Sequence, residues 1–151
     1  MSESAAFARR IDALGAIFDF TASAFDRLRA PLELRPDVDL VLEELFTNVV
    51  KYGRGRAPVT IAIAAVAGGV EVTLTEPEAE PFDVTRAPAV DTTLPAEARQ
   101  PGGLGLHLVP RLVDSLKYAY SEPDRCSRTT FRKTRTPPWS GDAAGDEGAT
   151  C

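Results

Sequence analysis

The sequence predicts an α+β protein: a two-layer α/β sandwich with helices on one face of a mixed, mostly antiparallel sheet. Three observations carry this expectation. Apolar residues recur at spacings of three and four over residues 7–29, and again in the stretch that ends at Gly53. Two apolar–polar alternating runs flank Gly68-Gly69, the pattern of a hairpin. The order helix, helix, hairpin, long loop, helix, hairpin brings strands in adjacent pairs, which disfavours a doubly wound parallel sheet.

The first helix is expected over residues 7–29, with Phe7, Ile11, Leu14, Phe18, Ala22, Phe25 and Leu28 on one stripe and Arg9, Arg10, Asp26 and Arg27 largely off it. Ala30-Pro31 and Arg35-Pro36 punctuate the chain. Asp37 is the expected N-cap of the second helix, and Gly53 its C′ residue. Val41, Leu45, Val49 and Tyr52 form the face of that helix expected to pack inward. In the hairpin, Val59, Ile61, Ile63 and Ala65 alternate with Thr60, Ala62 and Ala64, and after the Gly68-Gly69 turn Val70, Val72 and Leu74 alternate with Glu71, Thr73 and Thr75. From Glu76 to Gln100 prolines at 77, 81, 88 and 95 remove any periodicity. A loop of this length in a compact domain is usually functional, often a lid. Gly102-Gly103-Leu104-Gly105 then opens a third helix, in which Pro110 lies too far along to be a first-turn proline and should introduce a kink. Strands are expected at 117–121 and 126–133, on either side of Glu122-Pro123-Asp124.

At 151 residues the chain is long enough for one domain with a proper core, expected over 1–134, followed by a disordered tail over 135–151. Its net charge of −5 argues against a nucleic-acid backbone as partner. Cys126 and Cys151 have no metal-ligand spacing and are expected to be reduced thiols of a cytoplasmic protein. No apolar run reaches membrane-spanning length and no signal-peptide pattern opens the chain.

Chemistry is concentrated in two places. Glu44, Asn48 and Lys51 fall on one face of the second helix, where a carboxylate, an amide and an ammonium can position a metal ion, a phosphate and a nucleophile. Asn costs about half a kcal/mol against Ala within a helix, so its placement invites a reason, although a solvated face is the common fate of such residues. The Gly102–Gly105 run lets backbone approach a ligand closely and presents free N–H groups at a helix start, as a purely structural turn also would. It is neither a dinucleotide fingerprint nor a Walker loop.

The run Glu44 to Tyr52, then a hairpin, then Pro81-Phe82-Asp83, then Gly102-Gly103-Leu104-Gly105-Leu106-His107-Leu108-Val109 resembles one family over roughly residues 7–134. It is similar to the anti-sigma-factor serine kinases of the RsbW/SpoIIAB type, within the GHKL ATPase superfamily. The resemblance implies the Bergerat-type sandwich, with ATP and Mg²⁺ as cofactors. Asn48 would hold Mg²⁺ and Glu44 would be the general base that orients a protein serine toward the γ-phosphate. Lys51 would lie near the phosphates. Phe82, Gly102, Gly103, Leu104, Gly105 and Leu106 would line the nucleotide, while His107 is expected to pack. The implied partners are a sigma factor and an antagonist of the STAS type, and the implied assembly is a homodimer.

The sequence departs from the pattern in the family's first glycine box, Asp-x-Gly-x-x-Phe-Asp. Alignment on Phe82-Asp83 puts Pro77 where the adenine-binding Asp belongs and Ala79 where the Gly belongs, with Glu76 and Glu78 as flanking acids. Losing a hydrogen bond to a charged group costs about 1.5–3 kcal/mol, on the order of ten- to a hundred-fold in affinity. This leaves open the alternative of a partner-switching module that binds nucleotide weakly and does not catalyse. The family also opens with a strand, which residues 1–6 are too short and small to build, so one sheet edge is expected to be shortened or covered differently.

Overall fold

A computed structural model of the protein describes residues 1–81 and 103–135, with backbone alone for 103–107. The expected lid (apart from its first residues), Phe82, Gly102 and the tail beyond 135 lie outside the described residues.

The elements run β1 (Ser2–Phe7), a 3₁₀ turn (Ile11–Ala13), α1 (Leu14–Leu28), a second 3₁₀ turn (Leu32–Leu34), α2 (Arg35–Tyr52), β2 (Val59–Val66), β3 (Gly69–Glu76), α3 (Gly103–Leu112), β4 (Ser115–Ser121) and β5 (Cys126–Thr134). The five strands form one sheet in the order β1-β2-β3-β5-β4. The fold class is the predicted one, and every pairing among the described residues is antiparallel rather than mixed. β5 enters between β3 and β4, so the β3–β5 ladder joins residues far apart in sequence, Val72 opposite Phe131 and Glu76 opposite Ser127.

The N-terminus differs from the expectation. Residues 2–7 form a full edge strand, from Ser2 opposite Ala64 to Phe7 opposite Val59. The helix therefore starts at Leu14 and not at 7. Phe7 fits the helical stripe by spacing, yet it ends a strand and sits edge-to-face on Phe20, ring centroids 5.6 Å apart. Ser and Ala have little intrinsic preference for strand. The ladder offered by β2 decides their conformation, as tertiary context commonly overrides propensity.

α2 has no side-chain N-cap. Its cap position is Leu34, and Asp37 lies in the first turn, where it meets the positive helix end and pairs with Lys133 Nζ at 3.0 Å. Its buried face is wider than expected: Val38, Val41, Leu42, Leu45 and Phe46 are buried, whereas Tyr52 is 51% exposed. These residues, with Ile17 and Phe25 of α1, cover the inward residues Ile61, Ile63, Val70, Val72 and Phe131 of the sheet. Burying a side chain of this size contributes about 1.5–3 kcal/mol, so this layer dominates stability. The turn of the first hairpin is Ala67-Gly68, with Gly68 at φ 77, and Gly69 already belongs to β3. There a Cβ would overlap the Lys133 carbonyl, so the close β3–β5 approach requires glycine. Pro110 lies inside α3, near its end. Cys126 is disulfide-bonded, contrary to the expectation of reduced thiols; the only other cysteine, Cys151, lies outside the described residues.

Candidate nucleotide site

α2 ends over one end of the sheet. Leu45, Asn48, Val49 and Tyr52, spaced three and four apart, present one helix face to a cavity of about 180 Å³. The floor comes from strand residues that are neighbours in the ladder: Leu74 and Glu76 of β3, Ser127 and Thr129 of β5, and Tyr118 of β4. Gly53, Arg54, Glu80 and Pro81 form its rim. Drug-sized pockets hold roughly 300–1,000 Å³, so this cavity is of a size to seat a ring system, with the rest of a ligand over its mouth.

Asn48 is 6% exposed and donates its side-chain Nδ2 to the Glu44 carbonyl at 2.8 Å. That bond uses one of the two N–H donors, so Oδ1 and the second N–H are the groups the amide can offer a ligand. A neutral oxygen of this kind suits Mg²⁺, which keeps several waters and takes few protein ligands alongside phosphate oxygens. Among the described residues no cluster of three His, Cys, Asp or Glu could cage an ion.

Glu44 and Lys51 share the helix face with Asn48 but do not line the cavity. Glu44 is half-buried. Burial and then the neighbouring Glu43 charge raise its pKa above the usual glutamate value, and the exposed Lys51 partly offsets this. A raised carboxylate pKa is the direction that suits a general base. α3 packs against α2 and starts at Gly103, so the N–H groups of Gly103, Leu104 and Gly105 belong to a first helical turn and lack intrahelical acceptors.

The cavity contains a carboxylate where alignment on Phe82-Asp83 places proline. Glu76, the last residue of β3, lines the cavity, while the Pro77 carbonyl turns to Arg9 and accepts from its Nη2. Arg9 is only 6% exposed at its side chain; its Nη1 pairs with Glu76 Oε2 at 3.0 Å and its Nε donates to the Ala57 carbonyl at 2.7 Å. Burial raises the Glu76 pKa, while Arg9 and the Ser127 hydroxyl hold it down. Glu78 points elsewhere and accepts from the Arg56 N–H at 2.8 Å. Ala79 is fully buried, its N–H on the Arg125 carbonyl and its own carbonyl accepting from Tyr120. Gly53 ends α2 in extended backbone, not as a left-handed C′ residue. Its glycine is required by space, since a Cβ would lie 2.5 Å from the Val49 carbonyl and 2.9 Å from Glu76 Oε2.

The roles of Arg9, Ser127, Thr129 and Tyr118 at the site escaped sequence reasoning. The strand residues carry only the signal of inward alternation, and Arg9 reads as a charge off a helical stripe. Phe82 and Gly102 lie outside the described residues, as do the side chains of Leu104 and Leu106.

The sequence profile of the histidine kinase-like ATPase domain matches residues 7–133, and the chain belongs to that family. No curated protein matches the sequence. Several solved structures share the fold, two of them as follows. The crystal structure of the RsbU and RsbW domains of Rv1364c from Mycobacterium tuberculosis superposes with a TM-score of 0.62 at 12% identity, covering 89% of this chain and 32% of that one. This chain thus spans about a third of that protein's length. The SiaB-SiaC complex from Pseudomonas aeruginosa gives a TM-score of 0.55 at 18% identity, covering 87% of this chain and 88% of the other.

Proposed function

We propose that the chain is a cytoplasmic partner-switching regulator that binds Mg·ATP, sequesters a sigma factor and phosphorylates a serine of a STAS-type antagonist, acting as a homodimer. The observation that carries this reading is Asn48: buried, lining the cavity, with one N–H tied to the helix and its oxygen left for a ligand. The base would sit among Glu76, Thr129 and Leu74, and the phosphates would extend over Asn48 toward the start of α3. Mg²⁺, when bound, would neutralise charge on the phosphates and orient them for in-line transfer. Asn48 would hold that ion through Oδ1. Glu44, one helical turn earlier, would accept the proton of the incoming serine hydroxyl. Lys51 would steady the ionised carboxylate.

The resemblance of the ordered motifs and the structural likeness to an RsbW-containing protein and to SiaB-SiaC support a partner-switching role. A second reading, a binding module without efficient transfer, is favoured by one observation: Pro77 and Ala79 stand where the first glycine box carries its Asp and Gly. Calorimetry with Mg·ATP, Mg·GTP and ADP separates the two. ATP binding tighter than millimolar, followed by transfer to a partner serine that Glu44→Ala abolishes, is the expected result for the kinase. Binding no tighter than several millimolar would sink that reading.

A further inference from the structure

Arg9 is a buried cation that the proposed phosphoryl transfer does not use. It reaches three segments remote in sequence: the Ala57 carbonyl before β2, the Glu76 carboxylate at the end of β3, and the Pro77 carbonyl beyond it. Glu76 lines the cavity and Arg9 stands behind it. Gly53 and Gly55 keep that arrangement open, since a Cβ at either would press on the Arg9 guanidinium. A planar guanidinium with five donors in a fixed fork suits such a multi-segment pin, and lysine could reproduce the charge but not the fork.

We propose that Arg9 is the positioning residue of the cavity, holding the Glu76 carboxylate in place as the acceptor for the amino edge of a nucleobase. The inference rests on the nucleotide reading of the site. A carboxylate accepts without donating only when ionised, and burial alone would drive Glu76 toward its neutral form. Arg9 opposes that drive from behind, leaving the cavity side of the carboxylate for a ligand. The Ser127 hydroxyl on β5 acts in the same direction. The other polar groups around the cavity are Asn48 and Tyr52 on α2, Thr129 on β5, Tyr118 on β4, and Arg54 and Glu80 at the rim. The last two lie 3.7 Å apart and exposed, so they exert little on a buried carboxylate.

The test follows two readouts in Arg9→Met, which keeps the apolar stem and removes the charge. Carbon NMR of the Glu76 carboxyl without nucleotide should show its titration raised by about 1–3 pH units. Calorimetry should show ATP binding weakened about ten-fold or more at neutral pH, with the deficit widening as pH falls. Arg9→Lys should restore the titration and part of the affinity. Wild-type affinity and an unchanged pH profile in Arg9→Met would overturn the proposal. If Arg9→Met does not fold, Glu76→Gln carries the test: it should abolish the acid-side loss of ATP affinity, and a profile equal to wild type would overturn the proposal. A wild-type protein that binds no nucleotide overturns the parent reading and this one together. Failure of the variants alone overturns only the role of Arg9.

Discussion

Asn48 Nδ2 lies 2.8 Å from the carbonyl oxygen of Glu44, one turn earlier in α2, so the two principal candidate residues are linked through the helix backbone. The bond fixes the orientation of the amide. It also means that Asn48→Ala removes one side-chain hydrogen bond while gaining helix propensity, two effects of about 0.5–1 kcal/mol and opposite sign. The variant should therefore melt close to wild type. ATP titrations with Mg²⁺ and with a chelator should show that the Mg²⁺-dependent part of the affinity has vanished and the chelator value is unchanged.

Glu44 should impose an acid limb on phosphotransfer. A base works deprotonated, so its raised pKa moves the rise of the rate to higher pH than an ordinary glutamate would give. Lys51 lowers that pKa, so Lys51→Met should move the limb further up while leaving the high-pH rate nearly intact. A limb that does not move in single-turnover rates from pH 4.5 to 8 would contradict the assignment of Glu44.

Two glycines should respond to alanine in opposite senses. At Gly69 the added Cβ would overlap the Lys133 carbonyl, and overpacking of this kind costs about 1–3 kcal/mol. Gly15, in α1, has nothing within 4 Å of the added Cβ, and alanine there should stabilise by about 0.5–1 kcal/mol. Urea unfolding of both variants checks the pair.

Asp39 should make stability fall as pH rises through the acid range. It sits on α2 with Oδ1 buried and without a hydrogen-bond partner among the described residues, and burial raises its pKa despite the Thr21 hydroxyl and Arg35, whose Nε reaches Oδ2 at 3.2 Å. The folded state thus binds the proton more tightly than the unfolded chain, and the advantage is lost between the unfolded value, about 3.9, and the raised folded one. Asp39→Asn should remove this dependence. Relative to wild type it should gain melting temperature on going from pH 4 to pH 7.

The pattern of apolar residues was enough for α2 and the β2–β3 hairpin, because each buries one face and so shows its period locally. The same spacing misled at Phe7, which satisfies a helical stripe and a strand end alike. Only the open edge of β2 selects the strand. Asn48 was legible as an oddity within a helix. That its amide is anchored to the Glu44 carbonyl and lines the cavity followed only from the structure.

The first glycine box shows where the sequence stops. Counting back from Phe82-Asp83 places Pro77 at the acid's position, a rule that assumes the chain advances evenly between β3 and the loop. The β3–β5 register instead puts Glu76 opposite Ser127 and into the cavity, with Arg9 behind it. The sequence by itself determined the family, the layers and the helix that bears Asn48, since those depend on periodicity and ordered motifs. The tertiary structure alone decided which carboxylate faces the cavity and what charge stands behind it. That pairing joins residues 67 positions apart, and no local pattern records a contact closed by the packing of the sheet.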